Sequence, residues 1–291
     1  MHLTLHLTRA CNLRCDYCYA PPQADAGMSF ETGRQALEFG ARLTRGSCGI
    51  VFFGGEPLLH KDLIRRLVAE GQRLADRDGS TFHWKATTNG LLLDDEFLQF
   101  ALENDVLLAL SLDGVRRAHD RHRRLPDGRG SFDLVLPRLR RLLEVRPYAS
   151  VLSVVNPDTA ADLAESMAFL LDEGCRYLIV SPNYAAPWDE TSLAELERQY
   201  ERLADLYLAW TRAGRKFYLS PFEVKLASHI QEGESRCQRC ELGQRQLSVD
   251  PQGYLFPCVQ FTAAGSDSPW RLGHVAGGID ERASARLYED S

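Results

Sequence analysis

The sequence predicts an α/β protein in which a parallel sheet is wrapped by helices and followed by a smaller C-terminal module. Strand-like and helix-like hydrophobic periods alternate six times between Leu3 and Trp210, the pattern of repeated βα units. Chemically distinctive loops follow the first four strand patterns: a run of three cysteines, then Gly54-Gly55-Glu56-Pro57, Thr88-Asn89-Gly90 and Ser111-Leu112-Asp113-Gly114. After Gly214 the rhythm gives way to cysteines and a hairpin-like stretch, which divides the chain into residues 1–214 and 215–291. With 291 residues, 44% of them hydrophobic, the chain has the apolar material for one large domain with an appendage.

Each element has a local reason. Leu3, Leu5 and Leu7 alternate with polar residues and read as the first strand. Ser29 is a good N-cap for a first helix carrying Leu37, Gly40, Ala41 and Leu43 on one side. The second unit is a strand from Gly49 to Phe53 and a helix with Leu63, Ile64, Leu67, Val68 and Leu74. The third is a strand from Thr81 to Thr87 and a helix with Phe97, Leu98, Ala101 and Leu102. In the fourth, a strand from Val106 to Leu112 precedes a helix around Leu134 to Leu143, which Pro137 is expected to kink or shorten. The fifth pairs a strand from Ser150 to Val155 with a helix around Leu163 to Leu170. The sixth pairs a strand from Arg176 to Val180 with a long helix from Thr191 to Trp210, packed through Leu193, Leu196, Tyr200, Leu203, Tyr207 and Trp210. Beyond Gly214 come a short helix-like stretch from Phe222 to Ile230 and a hairpin from Leu247 to Pro257, turning at Asp250-Pro251-Gln252-Gly253.

Composition excludes several functional classes. A net charge of -6 argues against a nucleic-acid partner, although Arg116, Arg117, Arg121, Arg123 and Arg124 form a local positive run. The N-terminus lacks the layout of a signal peptide, and no stretch approaches the roughly 20 apolar residues of a membrane span. The expected location is the cytoplasm, without membrane association. There, clustered cysteines point to metal binding or redox chemistry rather than structural disulfides. Cys48 and Cys175 begin strands and read as core thiols.

In parallel βα architectures the reacting groups lie at the carboxyl ends of the strands, where these four loops converge. Cys11, Cys15 and Cys18, spaced by three and two residues, can hold one iron-sulfur cube and leave one iron without a protein ligand. Zinc is the rival occupant, but it normally takes four ligands and does not account for the other loops.

The cysteine triplet with Tyr17 before Cys18, together with the Gly54 to Pro57 loop, resembles the radical S-adenosylmethionine (SAM) superfamily over about residues 1–190. The resemblance implies a partial (β/α)6 TIM-like barrel. It also implies that Cys11, Cys15 and Cys18 hold a [4Fe-4S] cluster whose open iron takes the amine and carboxylate of SAM. Tyr17 is then expected near the adenine. Gly54 and Gly55 are expected to bring backbone close to the methionine amine, and Glu56 to supply an anion for that ammonium. Asn89, Ser111, Asp113 and Asn156 are further SAM-site candidates, and Arg123 is the candidate partner of the methionine carboxylate. The implied chemistry is reductive cleavage of SAM to a 5′-deoxyadenosyl radical that abstracts a substrate hydrogen.

The C-terminal module resembles the start of the SPASM or twitch extension of peptide-modifying radical SAM enzymes. Twelve residues separate Cys240 from Gly253, and four separate Gly253 from Cys258. Cys237, Cys240 and Cys258 are therefore candidate ligands of an auxiliary [4Fe-4S] cluster. No cysteine follows Cys258, so the second cysteine set of a full SPASM domain is missing. A Cys3His zinc site that recruits His274 is the rival reading. Val259 stands where sulfatase-maturating relatives carry a general-base aspartate, which disfavours a sulfatase-type oxidation.

The function expected on these grounds is maturation of a ribosomally made peptide by a crosslink or another oxidative modification. A small-molecule or cofactor-precursor substrate is the alternative within enzymes, and a non-catalytic metal-binding scaffold is the alternative outside them. Expected partners are a precursor peptide and an electron donor such as flavodoxin or ferredoxin. The barrel pattern begins at Leu3, so a separate leader-peptide-binding protein is a further candidate partner.

Overall fold

A computed structural model describes residues 1–19, 27–44, 46–230, 243, 246–262 and 268–289. The chain opens with β1 (His2–His6), whose following loop carries the three cysteines and the short β2 (Arg14–Cys15). Then come α1 (Phe30–Leu43), β3 (Ser47–Phe53), α2 (Lys61–Asp78), β4 (Thr81–Thr88), α3 (Asp95–Glu103) and β5 (Val106–Ser111). The fourth crossover is elaborated into α4 (Arg116–His122), β6 (Arg123–Arg124) and α5 (Phe132–Val145). It leads to β7 (Ser150–Val155), α6 (Leu163–Asp172), β8 (Tyr177–Pro182) and α7 (Glu190–Arg212). The last part contributes β9 (Tyr218–Leu219), α8 (Ser220–Ile230), β10 (Gln246–Val249), β11 (Tyr254–Phe256), β12 (Gly273–His274), β13 (Gly278–Ile279) and α9 (Glu281–Glu289).

The strands of the six βα units pair in the order β1-β3-β4-β5-β7-β8, all parallel, giving the expected half-open barrel sheet. Sequence beyond residue 214 supplies both edges of this sheet. β9 pairs parallel with β8, and β10 pairs parallel with β1 before the antiparallel meander β10-β11-β12-β13. The turn at Asp250 forms as expected: Gly253 takes φ +96°, and its N–H donates to Asp250 O at 3.0 Å.

The core lies between the sheet and its helices. Leu3, Cys48, Ile50, Phe52 and Ala86 are fully buried on the helix-facing side. Close approach there depends on small residues, since a Cβ on Gly40 would lie 2.8 Å from both Cys48 Sγ and a Leu3 methyl. Cys48 and Cys175 are buried thiols.

Ser29 Oγ accepts the Thr32 N–H at 3.0 Å and starts α1 as expected. That helix buries Gly33, Ala36, Leu37, Phe39 and Gly40, so its core stripe excludes Leu43, which is exposed. Pro137 does not shorten α5, which continues for 14 residues. Proline removes one early backbone bond, and the buried stripe of Val135, Leu139, Leu142 and Leu143 holds the remainder. Along α7 only Gln199 and Leu203 are buried, and Leu193 is half exposed. No helix among the described residues is long and apolar enough to cross a membrane.

The arginine run dissolves into pairs. Arg116 meets Asp133, Arg117 meets Asp162 and Glu165, Arg121 meets Asp158, and Arg123 meets Asp113.

Candidate active site

The four sequence-marked loops meet at the carboxyl end of the sheet. Gly54 and Gly55 lie against the cysteine loop: a Cβ on Gly55 would fall 2.1 Å from Ala10 O, and one on Gly54, at φ +128°, 2.4 Å from Thr8 O. Only glycine allows this approach. Backbone bonds from Gly55 N to Thr8 O and from Glu56 N to Ala10 O, 2.8 and 2.9 Å, then fix the loop.

Glu56 is fully buried beneath this junction. Its carboxylate accepts Leu58 N–H at 3.0 Å, the Thr88 hydroxyl at 2.7 Å and Asn89 N–H at 2.8 Å. Burial pushes its pKa up, against the pull of these donors. Glu56 thus ties the loop after β3 to the loop after β4. Asn89 carries the connection onward: its Nδ2 donates to Asn12 Oδ1 at 2.7 Å and lies 3.7 Å from Cys11 Sγ.

A second network holds the other side of the cysteine loop. The Tyr17 hydroxyl donates to Asp113 Oδ2 at 2.8 Å, and Arg123 Nε donates to the same oxygen at 2.9 Å. Asp113 Oδ1 accepts Val154 N–H at 3.0 Å. The Arg123 guanidinium also lies 5.4 Å from the Tyr17 ring centre. Burial opposes the charge on Arg123, but Asp113, Tyr17 and Cys15 together outweigh it and hold the guanidinium's pKa above its ordinary value. Burial, more than any neighbour, raises the Tyr17 phenol and keeps it a hydroxyl. Arg123 reaches this position because β6 pairs antiparallel with β2, which sets Cys15 opposite Arg123.

Several contributors lay outside the sequence expectation. His119 accepts Asp113 N–H through Nδ1 at 3.3 Å and meets Ser131 Oγ through Nε2 at 2.9 Å. Ser131 Oγ in turn donates to Arg123 O at 2.8 Å. His122 bridges Asp16, at 2.7 Å, and Asp158, at 2.9 Å. A lone histidine in an arginine-rich helix gives no local signal of such a role.

Ser111 ends β5 at the same mouth, in register with Leu152 of β7. Asn156, at the end of β7, is buried; its Oδ1 accepts from Asn183 Nδ2 at 2.8 Å, while its own Nδ2 finds no protein partner. A buried amide donor without a partner suits a polar ligand in the mouth.

The cysteine loop fits an iron-sulfur cluster by its chemistry. Cys11 Sγ receives Leu13 N–H at 3.4 Å. Burial raises the Cys11 thiol and pushes that of Cys15 up to about 12, with Arg123 pulling Cys15 the other way. Bare thiolates are thus unfavourable in this loop, whereas coordination by a metal removes the thiol proton outright. No three His, Cys, Asp or Glu side chains among the described residues converge on one ion.

A family model described as the radical SAM superfamily matches residues 5–170, more than half of the chain. The chain belongs to the radical SAM superfamily. Over 97% of its length it is 23% identical to a cysteine-type anaerobic sulfatase-maturating enzyme of Clostridium novyi, covering 77% of that protein. It is 30% identical, over 98% of its own length and 72% of the relative's, to an Fe-coproporphyrin III synthase of Methanosarcina barkeri. Among solved structures, native anSMEcpe with bound AdoMet and Cp18Cys peptide matches with a TM-score of 0.82 at 21% identity, over 97% of this chain and 79% of that one. The cofactors of this radical SAM enzyme are accordingly a [4Fe-4S] cluster and SAM.

Of the auxiliary-cluster candidates, Cys237 and Cys240 lie outside the described residues. Cys258 is partly exposed just after β11, at the start of a 3-10 turn over Val259–Phe261. Its segment lies beside the loop after β1, where Arg9 donates to Thr262 O at 3.5 Å; burial raises the Tyr19 phenol, and both Cys18 and Cys258 push it the same way. His274 does not support the zinc alternative. Its Nδ1 accepts Ala276 N–H at 3.1 Å and its Nε2 faces Gln252 O at 3.0 Å, leaving neither nitrogen for a metal.

Proposed function

We propose that this radical SAM enzyme abstracts hydrogen from a ribosomally made peptide and installs a crosslink or another oxidative modification. The observation that supports this reading is that the segment carrying Cys258 lies beside the loop after β1, where Arg9 donates to Thr262 O at 3.5 Å. The cluster and SAM together supply a 5′-deoxyadenosyl radical, the reagent that abstracts hydrogen. The chain's own residues supply placement. Cys11, Cys15 and Cys18 hold the cluster, with Cys237, Cys240 and Cys258 as the auxiliary set. Arg123 is anchored to Asp113 through Nε and would pair with the methionine carboxylate. Gly54 and Gly55 would bring backbone to the methionine amine on a loop that Glu56 ties to Asn89, while Ser111 and Asp113 would serve the carboxylate or ribose and Tyr17 the adenine. The unpartnered Asn156 Nδ2 serves the nucleoside end.

Residues 1–214 form the catalytic barrel in this reading, and residues 215–291 the auxiliary module. Val259 follows Cys258 in place of an aspartate, so a sulfatase-type oxidation is disfavoured. A flavodoxin or ferredoxin provides the electron, and a separate leader-binding protein presents the peptide.

Anaerobic incubation of reconstituted enzyme with reductant, SAM and candidate precursor peptides tests this. The expected products are 5′-deoxyadenosine and a peptide lighter by hydrogen. If no 5′-deoxyadenosine forms with any substrate, the reading fails.

A second reading rests on the 30% identity to a protein named Fe-coproporphyrin III synthase, and takes a small tetrapyrrole as substrate. Modified tetrapyrrole with unmodified peptide in the same assay would select it.

A further inference from the structure

The face of the sheet away from the helices lines the barrel lumen, and its charge is lopsided. Leu3, Cys48 and Trp84 point toward the glycines of α1 and α2, so the alternate residues Thr4, Val51 and Lys85 face the lumen in one register row. Leu107 continues that row on β5 and is 54% exposed although its strand is central. With helices covering the other side, that exposure opens into the lumen. Across β1, β3, β4, β5, β7, β8, β9 and β10 there is no aspartate or glutamate, and Lys85 is the one lysine or arginine.

Lys85 is half-buried and has no hydrogen bond or carboxylate partner among the described residues. Burial lowers its pKa from the ordinary lysine value. Its close neighbour offers no counter-charge: burial lowers the His2 imidazole from its ordinary value, and the N-terminus and Lys85 push it the same way, which keeps it neutral. His83 lies two residues before Lys85 on the same strand face, opposite Gly49, which pairs with His2. An ammonium taken from water next to two imidazoles, with no anion supplied by the fold, is costly unless a ligand brings the counter-charge. Every carboxylate described at the mouth is already engaged, whereas this cation is not. Lys85 lies three residues below Thr88, roughly 10 Å beneath the loops that hold the cysteine loop.

We infer that the lumen is a carboxylate-binding subsite for the substrate, in which Lys85, flanked by His2 and His83, holds an acidic side chain of the peptide close to the residue modified. This rests on the peptide reading above and adds a charge requirement to it.

The test selects binders from a random peptide library by mRNA display on anaerobically reconstituted, SAM-loaded, full-length enzyme. Wild type is run beside Lys85→Met, Lys85→Arg and Lys85→Glu, each checked for iron content and thermal unfolding. Lys85→Gln replaces Lys85→Met should that variant fail to fold. Wild-type binders are expected to be enriched roughly tenfold in Asp or Glu at one fixed position, the scale of a charge-assisted hydrogen bond. Lys85→Arg should keep that preference, Lys85→Met should lose it, and Lys85→Glu should replace it with Lys or Arg. Peptide binders with no acidic preference, or with one unchanged in Lys85→Met, would overturn the inference while leaving the peptide reading intact. If wild type enriches no peptide, the peptide reading fails and coproporphyrin III, a tetracarboxylate, becomes the probe. Binding by wild type that is lost in Lys85→Met would then uphold the carboxylate subsite, and equal or absent binding would overturn it.

Discussion

The loop carrying Cys11, Cys15 and Cys18 is held by side chains from the ends of β4 and β5 and from α4, whereas Cys258 sits on a meander joined to the sheet edge mainly through backbone. Tyr17 reaches Asp113, Asn89 reaches Asn12, and His122 reaches Asp16, so the first loop is shaped by contacts that span the chain. Cys258 follows a ladder of short antiparallel strands, with Arg9 to Asp250 at 3.6 Å as the side-chain link back to the β1 loop. The difference separates a loop fixed by side-chain links from a segment fixed by strand pairing. Fully connected polar networks fix one geometry, while edge strands leave more freedom.

The sharpest way to break this comparison is to remove a cysteine from each region. Cys15→Ala should abolish 5′-deoxyadenosine formation, because the cluster loses a ligand at the centre of the wired loop. Cys258→Ala should remove about four irons per chain, one cube, and leave the other in place. Iron and sulfide analysis with electron paramagnetic resonance reads both, and loss of all iron in Cys258→Ala would erase the distinction.

Breaking one charged link in each region gives the next effect. Arg123→Met leaves Asp113 buried without its cation and should cost about 3–5 kcal/mol in denaturant unfolding of the apoprotein. Arg9→Met should cost less, about 1–2 kcal/mol, since Asp250 Oδ1 keeps the Gln252 and Tyr254 N–H donors. Equal losses would show that the two regions are equally dependent on side chains.

Acid should act on the first region. Burial lowers His6 and His119 to about 3, below the ordinary value of 6.5. Between pH 6.5 and 3 the unfolded chain therefore binds more protons than the folded one, so stability is full above 6.5 and falls with pH through this window. Each histidine contributes a slope of up to about 1.4 kcal/mol per pH unit. His119→Gln should flatten the curve by one such increment, and an unchanged slope would show that His119 is not a neutral, buried partner of Ser131. The smallest effect is a control: Ser29→Ala should cost about 1 kcal/mol through the lost N-cap without changing the iron content of either region.

Much of this architecture is legible locally. The leucine alternation of β1, the Ser29 cap and the Asp250 to Gly253 turn each depend on residues within a few positions of one another. The cysteine spacing likewise carries its own chemistry, independent of where the loop lies. The reason for Gly54 and Gly55 was only partly legible, because the surface they approach is the backbone of Thr8 and Ala10, more than forty residues earlier. The fates of Leu43 and Leu193 were misjudged because periodicity marks an apolar stripe without saying how much of it a neighbour covers.

The sequence by itself determined the six βα units, the spacing of the cysteine triplet and the lack of a stretch apolar enough to span a membrane. Those follow from short-range periods and from the intrinsic chemistry of the side chains. Only the tertiary structure decided that Tyr17 and Arg123 share Asp113, that His274 is closed to metal, that β10 docks beside β1, and that Lys85 faces the lumen without a carboxylate partner among the described residues. Tyr17 and Asp113 are separated by 96 residues, and their meeting depends on strand register. A shift of one residue would turn every lumen side chain toward the helices, so these pairings exist only once the sheet has formed.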